Sequence, residues 1–411
     1  MEWTGVPQAP SYGRTTDVTI DDGAARAAYL QDVVKALYPQ PADGPGERSE
    51  FLVVPHARAP RLLVPARPRR VAAAAVRRYA EPRNRVAKLK RQAVVLALRT
   101  GTHRWLLPDR VRVATTDSIE SHLRRVLDEP VIPSIHIGPA RANRKAVVQL
   151  LRPDGRTVGF AKVSTGALTQ RLVREETVAL QSLADADLRL VTVPQVWYAG
   201  NWAGHEILVQ RALPVWAPRA ALSPGRLAAA MRELAECTQV TEGPLGDSSY
   251  LAQLQQRVAA VADHPDGAQL AEALDRLTTV FGDLVLRYGS WHGDWTPWNM
   301  AVLEDTLLVW DWERFSTGVP IGFDAVHYAL QSRAQVAADP AQALATTLRE
   351  VPDLLAPFDV DAAAREPTAL LYLADLAARY LADRQAEAGA RLGALGTWLL
   401  PGLLGRLDHL G

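Results

Sequence analysis

The period of the apolar positions changes several times along the chain. Apolar residues recurring at three- and four-residue intervals predict helices over 23–38, 69–80, 85–99 and 118–127, the last started by Thr116-Asp117. FLVVP (51–55) and RLLVP (61–65) are apolar runs of strand length, and 104–114 reads as extended. From residue 131 the pattern sharpens. VIPSIHIG, the polar turn ARANRK, AVVQLL, the turn Pro153-Asp154-Gly155 and TVGFAKVS predict three strands, the last two joined as a hairpin. A helix over 167–184 follows, then strands at Val191–Ala199 and Glu206–Gln210. Beyond Pro214 the period is helical over 224–240, 248–262, 266–287, 322–337, 340–350 and 366–399. One island, 288–315, interrupts it with short apolar strands around a polar loop. The expected fold class is therefore α+β with two lobes: a small five-stranded sheet plus one helix, then a mainly helical lobe, with an additional N-terminal α/β region. The expected domains are 1–125, 126–213 and 214–411. Residues 1–22 and 39–49 are polar and punctuated by Pro and Gly, as loops are.

Composition narrows the class. A chain of 411 residues, 48% hydrophobic and 22% charged, fits a soluble globular protein of two or three domains. No apolar run approaches the roughly 20 residues that cross a bilayer, and the N-terminus lacks the basic and apolar regions of a secretory signal, so no membrane partner is expected. The single cysteine, Cys237, cannot form an internal disulfide and is read as a core residue of its helix. The nine histidines never fall within five residues of each other, which removes the zinc spacings. The cytoplasm is the expected location.

The net charge of +1 hides an asymmetry. Residues 56–115 hold sixteen Arg and Lys against two acids, Glu81 and Asp109, so the rest of the chain is acidic. Such a block wants an anionic partner or an acidic surface of the same molecule. The charge suits nucleic acid, but the block has few aromatics for base stacking, only Tyr79 and Trp105. Partial docking of the first 125 residues onto the body is expected, through the 51–55/61–65 strand pair and Val71, Val76, Leu89, Val94, Val95 and Leu98. Only five of the basic residues are lysines (35, 88, 90, 145 and 162), so each lysine carries information.

Several chemistries are absent. No lysine follows a glycine, which excludes a P-loop. Gly44-Pro45-Gly46 lacks the third glycine and the strand of a dinucleotide site, no Gly-x-Ser-x-Gly elbow occurs, and there is no fixed-period repeat. What remains is the island: His292-Gly293-Asp294-Trp295-Thr296-Pro297-Trp298-Asn299, a strand hairpin, then Asp311-Trp312-Glu313. Asp294 can accept a proton from an attacking hydroxyl. Asn299 and Asp311 offer hard oxygens to Mg²⁺, which needs few protein ligands when phosphates supply the rest. The five tryptophans of the island (291, 295, 298, 310 and 312) are read as packing, and His292 as a hydrogen-bonder beneath the loop.

This stretch resembles the catalytic core of the aminoglycoside phosphotransferase/choline kinase family of the protein-kinase-like superfamily, whose brand is His-Gly-Asp, an Asn five residues on, and a later Asp followed by Trp or Phe. The resemblance covers about 130–411. Gly318-x-Pro320-x-x-x-Asp324 extends it, with Val319 where the family often has Asp and with one extra residue. The resemblance implies a two-lobed protein-kinase-like fold and use of ATP and Mg²⁺. Lys162, inside the apolar strand GFAKVS, then contacts the α/β-phosphates and is held by a helix glutamate. Glu175 and Glu176 both fit by distance, and the family's Glu-x-x-x-Leu-x-x-Leu favours Glu176. Gly138–Lys145 becomes the loop over the phosphates, with Gly138 its one glycine. Ile207–Pro214 becomes the linker between lobes, where backbone groups of Gln210 and Ala212 bind adenine.

The implied activity is ATP-dependent phosphorylation of a hydroxyl on a small molecule: an aminoglycoside, sugar, amino alcohol or related metabolite. A protein kinase fits less well, because Asp311 runs directly into 318–324 and leaves no room for an activation loop. The second class is a nucleotide-binding pseudokinase or scaffold with the basic N-terminal region as interaction module. Every catalytic position holds a competent residue, which favours the enzyme.

Overall fold

The computed structural model describes residues 19–41, 47–79, 85–139, 141–387 and 392–409; the polar stretch up to residue 18 and part of the 39–49 loop lie outside them. Two compact units emerge. The first holds the described residues up to Thr177 with Pro194–Leu213, and the second Val178–Val193 with the described residues from Pro214 on.

The first unit is built on α1 (Thr19–Leu37), β1 (Arg48–Val54), β2 (Leu62–Pro65), α2 (Arg69–Tyr79), α3 (Arg85–Thr100), the single turn α4 (His103–Leu106), β3 (Arg110–Ala114), α5 (Ile119–Val126), β4 (Ile132–His136), β5 (Ala146–Leu151), β6 (Thr157–Val163) and most of α6 (Ala167–Leu183). After β7 (Val191–Thr192), which belongs to the second unit, β8 (Val196–Trp202) and β9 (His205–Arg211) complete it. The strands form one antiparallel sheet in the order β3-β1-β2-β4-β5-β6-β9-β8. This corrects the expected five-stranded sheet. The strand pair at 51–55 and 61–65 does form, Phe51 facing Pro65, and with β3 it continues the sheet beyond β4.

The apolar runs explain why. Phe51 and Val53 enter a core with Tyr29, Leu30 and Val33 of α1 and Ile119 and Leu123 of α5. Leu52, on the opposite face, packs with Leu62, Val64, Val71 and Leu98 beneath α2 and α3. A strand covered on both sides buries every residue, so it loses the alternation of a half-exposed one. Each fully buried aliphatic or aromatic side chain contributes about 1.5–3 kcal/mol. Of the residues expected to dock, Val71, Val76 and Leu98 are buried and Val94 and Val95 partly so, whereas Leu89 is 65% exposed. The start of α5 also differs: Ser118 and Ser121 exchange side-chain and backbone hydrogen bonds as a capping box, and Asp117 turns the chain at φ 51°.

The second unit contains α7 (Pro224–Ala235), β10 (Thr241–Pro244), α8 (Ser249–Ala259), α9 (Pro265–Phe281), β11 (Val285–Trp291), β12 (Met300–Val302), β13 (Leu307–Val309), β14 (Ser316–Pro320), α10 (Phe323–Ala334), α11 (Pro340–Leu355), α12 (Ala362–Ala382) and α13 (Leu399–Leu407). Its strands make two three-stranded sheets, β10-β11-β14 and β12-β13-β7. The single helix expected over 366–399 is instead α12, ended by Arg384 at φ 52°, and a separate α13. There the Gln385 N–H donates to Tyr380 O and the Arg384 N–H to Leu381 O, which closes the last turn of α12. Cys237 follows α7 and is half-buried rather than a core residue.

Candidate active site

In the first unit, strand alternation decides which way the lysine points. Ala161 and Val163 of β6 enter the core shared with α1 and α5, so Lys162 between them takes the other face. It is 5% exposed and ion-paired there with Glu176 of α6. Glu176 is itself fully buried. Of the two candidate glutamates the geometry selects this one, because Glu175 is half-exposed beside Arg171 one turn earlier. Two further groups converge on Glu176: Lys145 Nζ lies 3.3 Å from Oε2, and Gln210 Nε2 of β9 donates to Oε1 at 2.8 Å. Lys145 carried a legible signal, being one of only five lysines and standing at the end of the 138–145 loop.

The other first-unit candidates divide. The Gln210 side chain is spent on Glu176, and the Ala212 N–H donates to Val158 O at 2.9 Å as a sheet bond. The Ala212 N–H is thus part of the sheet. Gly138 follows β4, and among the protein's own atoms a Cβ added there would meet nothing nearer than Arg144 Cγ at 3.9 Å.

In the second unit β11 leads into the polar loop. Gly293 turns it at φ 79°, where an added Cβ would lie 2.3 Å from Arg314 O; only glycine fits. Asp324, near the start of α10, accepts the His292 N–H at 2.7 Å and the Gly293 N–H at 3.2 Å. Burial pushes its carboxyl up to about 7 against the lowering effect of those bonds. Arg379 of α12 grips the same turn, donating to Gly293 O at 2.5 Å. His292 lies beneath the loop as expected. Its Nδ1 accepts the Asp294 N–H at 3.1 Å, and Nε2 is 3.1 Å from Trp310 O. Burial holds this imidazole down at about 4, so it is neutral. Trp295 and Trp312 are fully buried, Trp312 with its ring centroid 4.5 Å from that of His292.

The loop presents Asp294 with both carboxylate oxygens in contact. Asn299 Nδ2 donates to Oδ2 at 2.9 Å and to the Asp294 carbonyl at 3.0 Å. His327 Nε2 of α10 lies 3.1 Å from Oδ1. Desolvation alone would raise the Asp294 carboxyl, but the hydrogen bond from His327 and the charge of Arg379 help outweigh it and leave it below the usual carboxylate range. Asn299 is tied into the hairpin, since the Trp310 N–H donates to its carbonyl at 3.0 Å. One residue later Asp311 adopts φ 67°, a left-handed conformation that Asp tolerates better than most residues. With its amide nitrogen on Asp294, Asn299 has its side-chain oxygen left for a ligand, and Asn299 and Asp311 are oxygen donors of the type that Mg²⁺ prefers. Among the described residues there is no cluster of three or more His, Cys, Asp or Glu for a closed metal cage. His327 was not anticipated from the sequence, although it stands three residues after Asp324 and thus on the same helix face.

A model of the phosphotransferase enzyme family matches residues 142–358, more than half of the chain. The chain belongs to this family. The match takes in Lys162, Glu176, the 292–299 loop, Asp311 and Asp324, and it leaves β1–β3 outside. Membership makes the protein a small-molecule phosphotransferase. Among solved structures, the choline kinase LicA from Streptococcus pneumoniae is similar at 15% identity, over 70% of this chain and 98% of that one, with a TM-score of 0.46. The spectinomycin phosphotransferase APH(9)-Ia in complex with ADP and spectinomycin is 12% identical over 70% and 96%, at 0.41. Aminoglycoside phosphotransferase APH(4)-Ia is 17% identical over 72% and 98%, at 0.43. No curated protein sequence matches the chain. No helix of the described residues is long and apolar enough to cross a membrane.

Proposed function

We propose that this phosphotransferase moves the γ-phosphoryl group of ATP onto a hydroxyl of a small metabolite, such as an aminoglycoside, sugar or amino alcohol, in the cytoplasm. Residues 126–213 act as its nucleotide lobe and 214–411 as its catalytic lobe. The observation that carries this reading is the Asp294 carboxylate, held by Asn299 on one oxygen and His327 on the other and kept ionised. An ionised, oriented carboxylate hydrogen-bonds the acceptor hydroxyl, aligns it with the phosphorus and takes its proton as the new O–P bond forms. Lys162, fixed by Glu176, binds the α/β-phosphates, and Lys145 adds a second cation beside the same carboxylate. Asn299 and Asp311 would hold Mg²⁺, which would supply neutralisation of phosphate charge.

Nucleotide binding gives a direct test. Saturating Mg·ATP, at about 100 times Kd, should stabilise the wild type by about 2.7 kcal/mol, read as a rise in Tm. In Asp311→Asn most of that rise should vanish, while the Tm without nucleotide changes little. An equal ATP-dependent rise in wild type and Asp311→Asn would remove Asp311 from the metal site.

A further inference from the structure

Behind the Asp294 carboxylate the second unit buries two further polar side chains in series, only the first of which touches Asp294. His327 and Tyr372 are both completely buried. Such side chains are costly to bury unless hydrogen-bonded, and Phe or Leu would fill the same space without that cost. Both are bonded, in series. His327 Nδ1 lies 3.0 Å from the Tyr372 hydroxyl of α12, and Nε2 lies 3.1 Å from Asp294 Oδ1. The two rings meet edge to face, at 86° with centroids 5.8 Å apart.

We propose that His327, itself oriented by Tyr372, is a positioning residue that fixes the Asp294 carboxylate for attack by the acceptor hydroxyl. This rests on the reading of Asp294 as the proton acceptor. The protons settle the direction of the chain. Burial holds the His327 imidazole below its usual range, against the pull of Asp294, so it is neutral with one N–H. Burial pushes the Tyr372 hydroxyl well up, so it keeps its proton. Tyr372 therefore donates to Nδ1, which places the imidazole proton on Nε2, where it is donated to Oδ1.

Asp294 is thus clamped from two elements, by His327 of α10 on Oδ1 and by Asn299 of its own loop on Oδ2. A carboxylate held at both oxygens cannot rotate about χ2, and each oxygen keeps a second lone pair for the incoming hydroxyl. In the transfer itself the acceptor O–H bond breaks, its proton goes to Asp294, the acceptor oxygen bonds to the γ-phosphorus, and the bond to the bridging oxygen breaks to release ADP. His327 gains and loses nothing. Its contribution is orientation, where a displacement of about 1 Å costs up to about 10²-fold in rate.

The test uses the full-length protein with Mg·ATP and the best acceptor from a panel of choline, spectinomycin and hygromycin B, or water (basal ATP hydrolysis) where none is used. His327→Leu should lower kcat by about 10–10²-fold and leave the KM for ATP within about twofold. His327→Gln, which returns an N–H near the Nε2 position, should recover most of the loss, and Tyr372→Phe should cost about 2–10-fold by releasing the tautomer. In an Asp294→Asn background His327→Leu should add almost nothing, because the group it orients is gone; a role in packing alone would multiply the two losses. Wild-type kcat in His327→Leu, no rescue by Gln, or multiplied losses would each overturn the proposal. Should His327→Leu fail to fold, His327→Gln with near wild-type kcat alongside a 2–10-fold loss in Tyr372→Phe supports it, and any other outcome of that pair overturns it. The underlying reading fails separately: wild-type turnover in Asp294→Asn alone would remove Asp294 as the base.

Discussion

Asp294→Asn should lower kcat by about 10²–10⁴-fold, the range of a positioned general base, with the KM for ATP little changed. The substitution keeps the size of the side chain and its contact with Asn299, so the loop has no steric reason to move. It removes the charge and the basic oxygen that the acceptor proton must reach. Asp324 and Arg379 grip the Gly293 turn by bonds that do not involve the Asp294 side chain, so Tm should change by only a few degrees. A variant that keeps its Tm and loses turnover assigns the loss to chemistry. A variant that turns over at near wild-type rate would show that another group takes the proton.

The second large effect is on stability. Glu176 is fully buried in contact with Lys162, Lys145 and Gln210. Breaking a buried ion pair by removing one partner costs about 3–5 kcal/mol, because the remaining charge stays in a poor environment. Glu176→Gln leaves two ammonium groups short of their counter-charge and should cost at least that range in chemical denaturation. Lys162→Met should cost less, since it removes a buried charge and leaves Glu176 with Lys145, yet it should weaken ATP binding more. If Glu176→Gln unfolded at the wild-type denaturant concentration, the carboxylate would not be holding the lysines.

The candidate site in the 288–315 island was legible because its residues are local: His292 to Asn299 sit on one loop, and Asp311 follows the hairpin after it. Lys162 was legible because an ammonium in an apolar strand needs a partner, and the partner was in reach on the next helix. Other features depend on pairings that a one-dimensional pattern does not contain. FLVVP and RLLVP announce strands, but nothing in them says that β2 pairs with β4 and extends the sheet to eight. The break after α12 is made by a backbone conformation at Arg384, in a stretch whose apolar spacing is helical on both sides. His327 is buried in an α10 that is covered nearly all round, so its spacing gave no polar face. Its relation to Asp324 three residues earlier was the one available signal. The Ala212 N–H likewise found a sheet acceptor that the linker sequence does not reveal.

The central claim is transfer of a phosphoryl group to a small hydroxyl compound, and the most direct measurement is the mass of the product. Wild-type protein incubated with Mg·ATP and a pooled panel of aminoglycosides, sugars and amino alcohols should yield one species heavier by a single phosphoryl group, with ADP released in equal amount and only when that compound is present. Tight Mg·ATP binding with no heavier product and no compound-dependent ADP across the panel would contradict it and mark the chain as a nucleotide-binding scaffold.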